Sequence, residues 1–344
     1  MAATDVVIVG GGPAGAAAAI TAARHGLRAT IVEREPVPGR RPGEAAHPGL
    51  EPLLARLGVL DAVLAHDFPR HEGHWVAWGG EASRFVPFGA DAGGPWRGFQ
   101  LWRPTFDAIM LDAAGRAGAA LIRPCPDVRP LVERGRVTGV TTAEADVSAR
   151  FVVDASGRHR WLARHLGLAV EAAGPPTIAW FGYARGECPI RDAAPAIVSD
   201  PEGWTWTARV RPNVYQWVLV PLTGERPPRG WRPDELAALT PLEGPRGIDV
   251  TWTRVGPAAG PGYFLAGDAA FVLDPASSHG MLKAIMSGMK AAHLAAAVHR
   301  GRIDEAAAAA DYDAWLRDWF ARDVAELRDH YAALARGHRR RIVP

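Results

Sequence analysis

Cysteine and lysine are nearly absent from this chain. Its two cysteines, Cys125 and Cys188, are too few for a disulfide framework and too far apart for a metal knuckle, so no metal is expected and a reducing cytoplasm is the natural compartment. Of the 39 basic residues only Lys283 and Lys290 are lysine, and the rest are arginine, as high-GC codon usage produces. Net charge is also lacking: a formal value of +2 excludes a strongly basic nucleic-acid binder. No uncharged run of about 20 apolar residues is present to span a membrane. The N-terminus enters an apolar strand directly, without the charged and cleavable pattern of a targeting segment. Internal repeats and long linkers are missing too.

What is present is globular. The 344 residues are 48% hydrophobic and 22% charged, enough for one large or two closely associated domains. Tryptophan is abundant, 13 residues against 10 phenylalanines and 5 tyrosines. The sequence leaves the oligomeric state open.

Asp5-Val-Val-Ile-Val9 reads as a buried parallel strand, and Gly10-Gly-Gly-Pro13-Ala14-Gly15 follows at once as G-x-G-x-x-G. An alanine-rich helix then runs to about His25-Gly26, and a second strand, Leu27–Val32, ends in Glu33. This is a complete βαβ dinucleotide unit. Gly10 permits the turn, Gly12 lets backbone N–H groups approach a pyrophosphate at the helix N-terminus, and Gly15 lets helix and strand pack. Glu33 is placed to accept from the adenosine ribose hydroxyls, while Arg34 beside it keeps a 2′-phosphate in play. Arg40 or Arg41, just past the second strand, is a further candidate for the phosphates.

Far along the chain, Gly262-Tyr-Phe-Leu-Ala-Gly267-Asp268 is a short strand ending in Gly-Asp. It is followed by Asp274-Pro275-Ala-Ser-Ser278-His279-Gly280-Met281 and a long apolar helix. Between these lie Trp102-Arg103-Pro-Thr-Phe-Asp107, Cys125-Pro-Asp-Val128 and Phe151-Val-Val-Asp154-Ala-Ser-Gly157. In this order and separation the segments resemble those of FAD-dependent monooxygenases of the p-hydroxybenzoate hydroxylase fold. The resemblance implies that FAD is the cofactor, that Asp268 binds its ribityl chain and Arg103 contacts it, and that Val128 lies on the adenine. It also implies that Gly267, Pro275, Ser278, Gly280 and Met281 border the flavin, with the helix beginning near Ser278 aimed at its N1–C2 edge.

The expected architecture is α/β. A Rossmann-like FAD-binding domain of the glutathione reductase type would be discontinuous (1–67, 103–175 and 256–300), with an antiparallel β-sheet substrate domain (68–102 and 176–255) interleaved and a C-terminal helical segment (301–344). Strand-like runs 73–78, 83–88, 177–183, 203–207, 215–220 and 249–252 carry aromatic and β-branched residues at alternating positions. If alternation holds, Trp75, Trp78, Trp180, Trp204, Trp206 and Trp217 line the roof of the substrate pocket. A pocket of Trp78, Trp204, Trp206 and Trp217 suits a planar aromatic substrate.

Gly43-Glu44-Ala-Ala-His47-Pro resembles a segment of tryptophan-halogenase-like flavoproteins and of the LodB-like proteins that mature peptide-derived quinone cofactors. The run Asp274–Met289 looks closest to the LodB-like group. Halogenases of this kind carry a lysine in the first third of the chain and a glutamate in the flavin motif. Here the first lysine is Lys283, and Ser277 stands at the glutamate position. Hydroxylation of an indole or phenol, free or on a peptide or carrier, through a flavin C4a-hydroperoxide is therefore the expected reaction. Oxygen and either NAD(P)H or a partner flavin reductase would supply the co-substrates. Glu44, His47 and His279 are the candidates for moving protons. A halogenase-like enzyme without its lysine, a geranylgeranyl-reductase-like enzyme and a FAD-dependent peptide-binding scaffold are the alternatives.

Overall fold

The computed structural model describes residues 4–39, 41–42 and 45–342, with side chains through residue 335. Glu44 and Arg40, both named above, lie outside the described residues. Seven helices are present among those described: α1 (Pro13–Arg24), α2 (Leu50–Arg56), α3 (Leu60–Leu64), α4 (Arg103–Arg116), α5 (Trp161–Leu166), α6 (Gly280–His299) and α7 (Glu305–Ile342).

A six-stranded sheet carries the nucleotide motif. Its order is Ala120–Ile122, Ala29–Val32, Val6–Val9, Phe151–Asp154, Tyr263–Leu265 and Ala259–Gly260, parallel except for the last pair. Val6–Val9 and Ala29–Val32 are buried along their whole length, as a parallel sheet covered on both faces requires. Strands as far apart in sequence as Val6–Val9, Phe151–Asp154 and Tyr263–Leu265 thus meet because each is apolar on both sides. One covering layer is α1 against α6, and the contact is made by small residues. A Cβ built on Gly288 would lie 2.1 Å from the Ala14 carbonyl oxygen, so the backbones touch only because that side chain is missing.

The second sheet has eight strands. Its path runs Thr240–Pro241, Ile178–Arg185, Val214–Pro221, Gly203–Arg211, Ala196–Asp200, Gly73–Ala77 and Arg84–Pro87, with Arg246–Asp249 also paired to Ile178–Arg185. The expected sheet was antiparallel throughout, but Ala196–Asp200 runs parallel to Gly73–Ala77. The whole of residues 78–195 separates these strands, so the connection is long enough for a parallel crossover. Of the run 249–252, only Asp249 is in a strand.

Register divides the tryptophans, which corrects the expectation of a single lined roof. Trp206 pairs with Val218 and Ile197, and Ile197 pairs with Val76. That row puts Trp204, Trp206, His74 and Trp78 on one face, because alternate residues share a face. Trp217 pairs with Thr207 and Gly182, and Thr207 pairs with Ala196, which pairs with Trp75. Trp75, Trp180 and Trp217 therefore lie on the opposite face. There Trp217 is 1% exposed and packs with Tyr215, Cys188, Leu236 and Leu239 in a separate small core.

The C-terminal helix α7 ties the sheets together. Tyr331 donates to Asp274 Oδ2 at 2.6 Å and accepts from Trp204 Nε1 at 2.9 Å, and Trp78 Nε1 donates to the His330 carbonyl at 2.8 Å. Tyr312 donates to the Leu265 carbonyl at 2.8 Å from the same helix. Trp78 and Trp204 are thus anchors for α7, which accounts for their indole N–H groups being spent on that helix instead of facing a pocket.

Candidate active site

The glycine turn shows what each glycine does. A Cβ on Gly10, where φ is +107°, would meet the Ala155 carbonyl oxygen at 2.4 Å, and one on Gly15 would meet the Gly10 oxygen at 1.9 Å. A Cβ on Gly12 would meet nothing within 4 Å. Two glycines are there for packing, and the third leaves open space at the N-terminus of the twelve-residue α1, whose first residue is Pro13. Such a helix end presents unpaired N–H groups and positive potential, so the cradle fits a pyrophosphate.

The groove beside it is lined by Gly11, Gly12, Glu33, Glu35, Val37, Pro38, Arg41, Asp107, Leu111 and Arg123. Glu33 accepts from the Gly11 N–H at 2.5 Å and the Glu35 N–H at 2.8 Å, which fixes its carboxylate at the groove wall. Arg41 lines the groove. Arg34 does not: it is exposed and pairs with Glu35 at 3.1 Å. Arg103 begins α4 and grips Asp107 through two bonds of 2.9 Å while also donating to the Pro42 carbonyl at 3.2 Å. It is 11% exposed, and its partner Asp107 is the member of the pair that lines the groove. The Val128 carbonyl accepts from Trp161 Nε1 at 2.8 Å, which ties this backbone to α5.

The second motif touches the first. A Cβ on Gly267 would lie 3.2 Å from the Ala14 Cβ, and the Gly267 N–H donates to Ser287 of α6 at 2.8 Å. Asp268 next to it accepts from Lys283 Nζ at 2.8 Å and from Arg158 Nε at 3.1 Å. Burial would raise its carboxyl, but the Lys283 and Arg158 charges outweigh that and hold it well below the usual carboxylate range. An ionised carboxylate has about four acceptor positions, so with 29% of its side chain exposed Asp268 retains capacity for sugar hydroxyls. Ser278, in a left-handed conformation with φ of +56°, turns the chain into α6. Pro275 starts the preceding short turn, Gly280 is exposed at the head of α6, and Met281 is buried beneath it.

His279 is the residue at the N-cap of α6, but its ring makes no capping bond. Nδ1 instead lies 3.0 Å from Asp323 Oδ2 on α7. That bond, reinforced by the charges of Asp323 and Glu326 against burial and Arg322, raises the His279 pKa. His47 lies close enough for the His279 charge to act on it, and burial first, then that charge, lowers its pKa. The Gly49 N–H donates to His47 Nδ1 at 3.0 Å, so neutral His47 carries its proton on Nε2.

Beyond His47 the site continues into residues that no motif marked. The Phe88 ring is met by His47 at 5.4 Å, His71 at 5.4 Å and His74 at 5.7 Å, and His74 also meets Trp206 at 6.1 Å. Burial lowers all three imidazoles, His71 to about 4. Of the four tryptophans expected in a pocket, Trp206 alone is brought to this cluster.

Lys283 lies within the run Asp274–Met289 and Arg158 directly follows Gly157, but neither was read as a partner of Asp268, because both contacts are tertiary. Asp323 was not legible either, since nothing in its helical context distinguishes it from a solvated carboxylate. Among the described residues no group of three or more His, Cys, Asp or Glu side chains forms a metal cluster, and no helix is long and apolar enough to cross a membrane.

Comparison with known proteins agrees with this geometry. The FAD binding domain family matches residues 3–228. The sequence is 27% identical to the tryptophan 2-halogenase of Chondromyces crocatus, over 97% of this chain and 69% of that one. It is 28% identical to the digeranylgeranylglycerophospholipid reductase of Methanosphaerula palustris, over 90% of this chain and 81% of that one. The solved structure of the flavin-dependent brominase Bmp2 superposes with a TM-score of 0.82 at 23% identity, covering 99% of this chain and 90% of that one, which is a likeness of fold. The glycine cradle, the acid at the end of the second strand and the Gly-Asp motif packed against them are what a bound FAD requires, and the chain belongs to the FAD binding domain family as a FAD-dependent oxidoreductase.

Proposed function

We propose that this oxidoreductase is a monooxygenase that hydroxylates a neutral, electron-rich aromatic substrate, an indole or a phenol, free or carried on a peptide or carrier protein. The observation that carries the reading is the cluster of His47, His71 and His74 around Phe88, flanked by Trp206, next to His279. Three imidazoles with lowered pKa values are uncharged at neutral pH, so this wall offers hydrogen bonds and ring contacts without attracting anions.

In this reading Gly10, Gly12, Pro13, Ala14 and Gly15 carry the pyrophosphate, Glu33 the ribose, Val128 the adenine, and Arg41 and Arg103 border the phosphates. Asp268 takes the ribityl hydroxyls, and Gly267, Pro275, Ser278, Gly280 and Met281 form the wall at the head of α6. FAD, when bound and reduced by NAD(P)H or by a partner flavin reductase, supplies an electrophilic oxygen from O2. The protein's share is to orient the ring against Trp206 and Phe88, exclude water, and move protons through His279 and His47.

Halogenation is disfavoured by the state of Lys283. This lysine is 3% exposed and committed to Asp268, so its amine is not available to carry a hypohalous acid to a substrate. The test is to reduce the FAD-loaded protein, admit oxygen with and without bromide, and analyse phenols and indoles by mass spectrometry. A product 16 Da heavier is expected. A brominated product, or alkene reduction without oxygen consumption, would overturn the reading.

A further inference from the structure

The C-terminal helix supplies one side chain to the site that no motif contains. Asp323 is 2% exposed, and its Oδ2 lies 3.0 Å from His279 Nδ1 and accepts from Trp319 Nε1 at 3.1 Å. Both partners are therefore donors to one carboxylate oxygen, which requires the proton of His279 to sit on Nδ1. Nε2 has no hydrogen-bond partner among the described residues, and 35% of the side chain is exposed. Trp319 backs the imidazole at 6.5 Å between ring centres.

We propose that Asp323 is the positioning residue for His279, fixing its tautomer and holding its charge so that Nε2 delivers and recovers the proton in the substrate site. In the imidazolium form Nε2–H gives its proton to an oxygen in the site: the N–H bond breaks, an O–H bond forms, and Nδ1–H stays on Asp323. The neutral ring then has its lone pair on Nε2 and takes a proton from a substrate O–H or N–H, which restores the starting state. Asp323 is needed because the surroundings oppose a cation. His279 stands at the N-terminus of the twenty-residue α6, whose dipole repels positive charge. Burial works in the same direction, as does Arg322 on α7, while His47 on the segment before α2 is itself lowered by the His279 charge. Asp323 and Glu326, both on α7, are the groups that reverse this. The buried carboxylate in turn has a cationic donor and an indole N–H to satisfy it.

The use of the proton rests on the hydroxylase reading, whereas the dyad itself does not, and the experiment separates them. Protein labelled with 15N-histidine is titrated by long-range 1H–15N correlation, first as wild type, then as Asp323→Asn and Asp323→Glu. In the wild type His279 is expected to show the Nδ1–H tautomer and to titrate above 6.5. Asp323→Asn should lower that pKa by at least about one unit, and Asp323→Glu should restore part of it. The pH profile of turnover should move with the titration, with kcat lowered about tenfold or more and KM little changed. An Nε2–H tautomer in the wild type overturns the proposal without needing any variant. So does an Asp323→Asn protein whose melting temperature falls while the His279 titration stays in place. If the titration moves as expected but oxygenated product never forms, the dyad stands and the hydroxylase reading falls.

Discussion

Lys283 holds Nζ 2.8 Å from Asp268 Oδ1 and 2.6 Å from the Phe271 carbonyl, with the Phe271 ring 4.5 Å away. One of the two lysines of the chain is thereby a structural cation for the carboxylate proposed to bind the ribityl chain.

Replacing Lys283 by methionine should cost about 3 kcal/mol, because it leaves a largely buried carboxylate with Arg158 alone. The acid limb of stability should change as well. Asp268 has a folded pKa held well below its ordinary 3.8, so its contribution is present above that value and is lost as pH falls through the lower folded one. Urea midpoints between pH 5 and 2 should therefore fall less steeply on acidification in Lys283→Met than in the wild type. Equal slopes would mean that the pair is not coupled.

Gly12 and Gly15 should respond to the same substitution in opposite ways. Gly15→Ala pushes a methyl into the Gly10 carbonyl and should lower stability by several kcal/mol. Gly12→Ala meets no protein atom and has φ of −71°, so its melting temperature should stay close to wild type while FAD affinity drops about tenfold or more. Fluorescence titration of the apoprotein with FAD, beside a thermal melt, checks both. Unchanged affinity in Gly12→Ala would show that the cofactor does not pass over this residue.

Trp206 and Trp217 separate pocket from core. Trp217→Ala removes a 1% exposed indole and should destabilise by about 3–5 kcal/mol, leaving turnover per folded molecule intact. Trp206→Ala should leave most of the stability and raise KM for an aromatic substrate several-fold. Steady-state kinetics on both variants distinguish the two; matching effects would erase the assignment by face.

Much of the cofactor half was legible because its signals are local. Gly10 to Glu33 form one contiguous unit, and Gly267-Asp268 follows its strand directly, so each motif reports its own conformation. The antiparallel runs were also visible, since aromatic and β-branched alternation survives in 203–207 and 215–220. Alternation does not say which face is which, however, and that is decided by register: the pairing of Thr207 with Trp217 and Ala196 sends Trp217 away from Trp206. Ala196–Asp200 passed unnoticed because five residues of mixed polarity carry no clear period. Arg34 read as a cofactor residue from position alone, and its side chain stands exposed beside Glu35 rather than in the groove. His71 lies on a two-residue edge strand, His74 on an inner strand of the large sheet and Phe88 just after a strand end, so only tertiary packing gathers them, and Asp323 meets His279 in the same way across 44 residues.

His71 should make the protein acid-sensitive. Its pKa is lowered to about 4 from 6.5, so between those values the unfolded chain binds a proton that the folded one refuses, and stability falls as pH falls. Over the full window this amounts to about 3 kcal/mol. His71→Asn should remove that part of the slope, as read from melting temperatures between pH 4 and 7. An unchanged slope would show that His71 titrates normally.

The helix that holds the site together is also made after the motifs it organises. A ribosome has already released Gly10 through Met281 before it reaches Tyr312, Asp323 and Tyr331, whose hydroxyls and carboxylate clamp Leu265, His279 and Asp274. Cofactor capture is then a late event in the life of each molecule. Stalled nascent chains ending before residue 305 should expose the glycine cradle without retaining FAD, whereas full-length chains should emerge yellow.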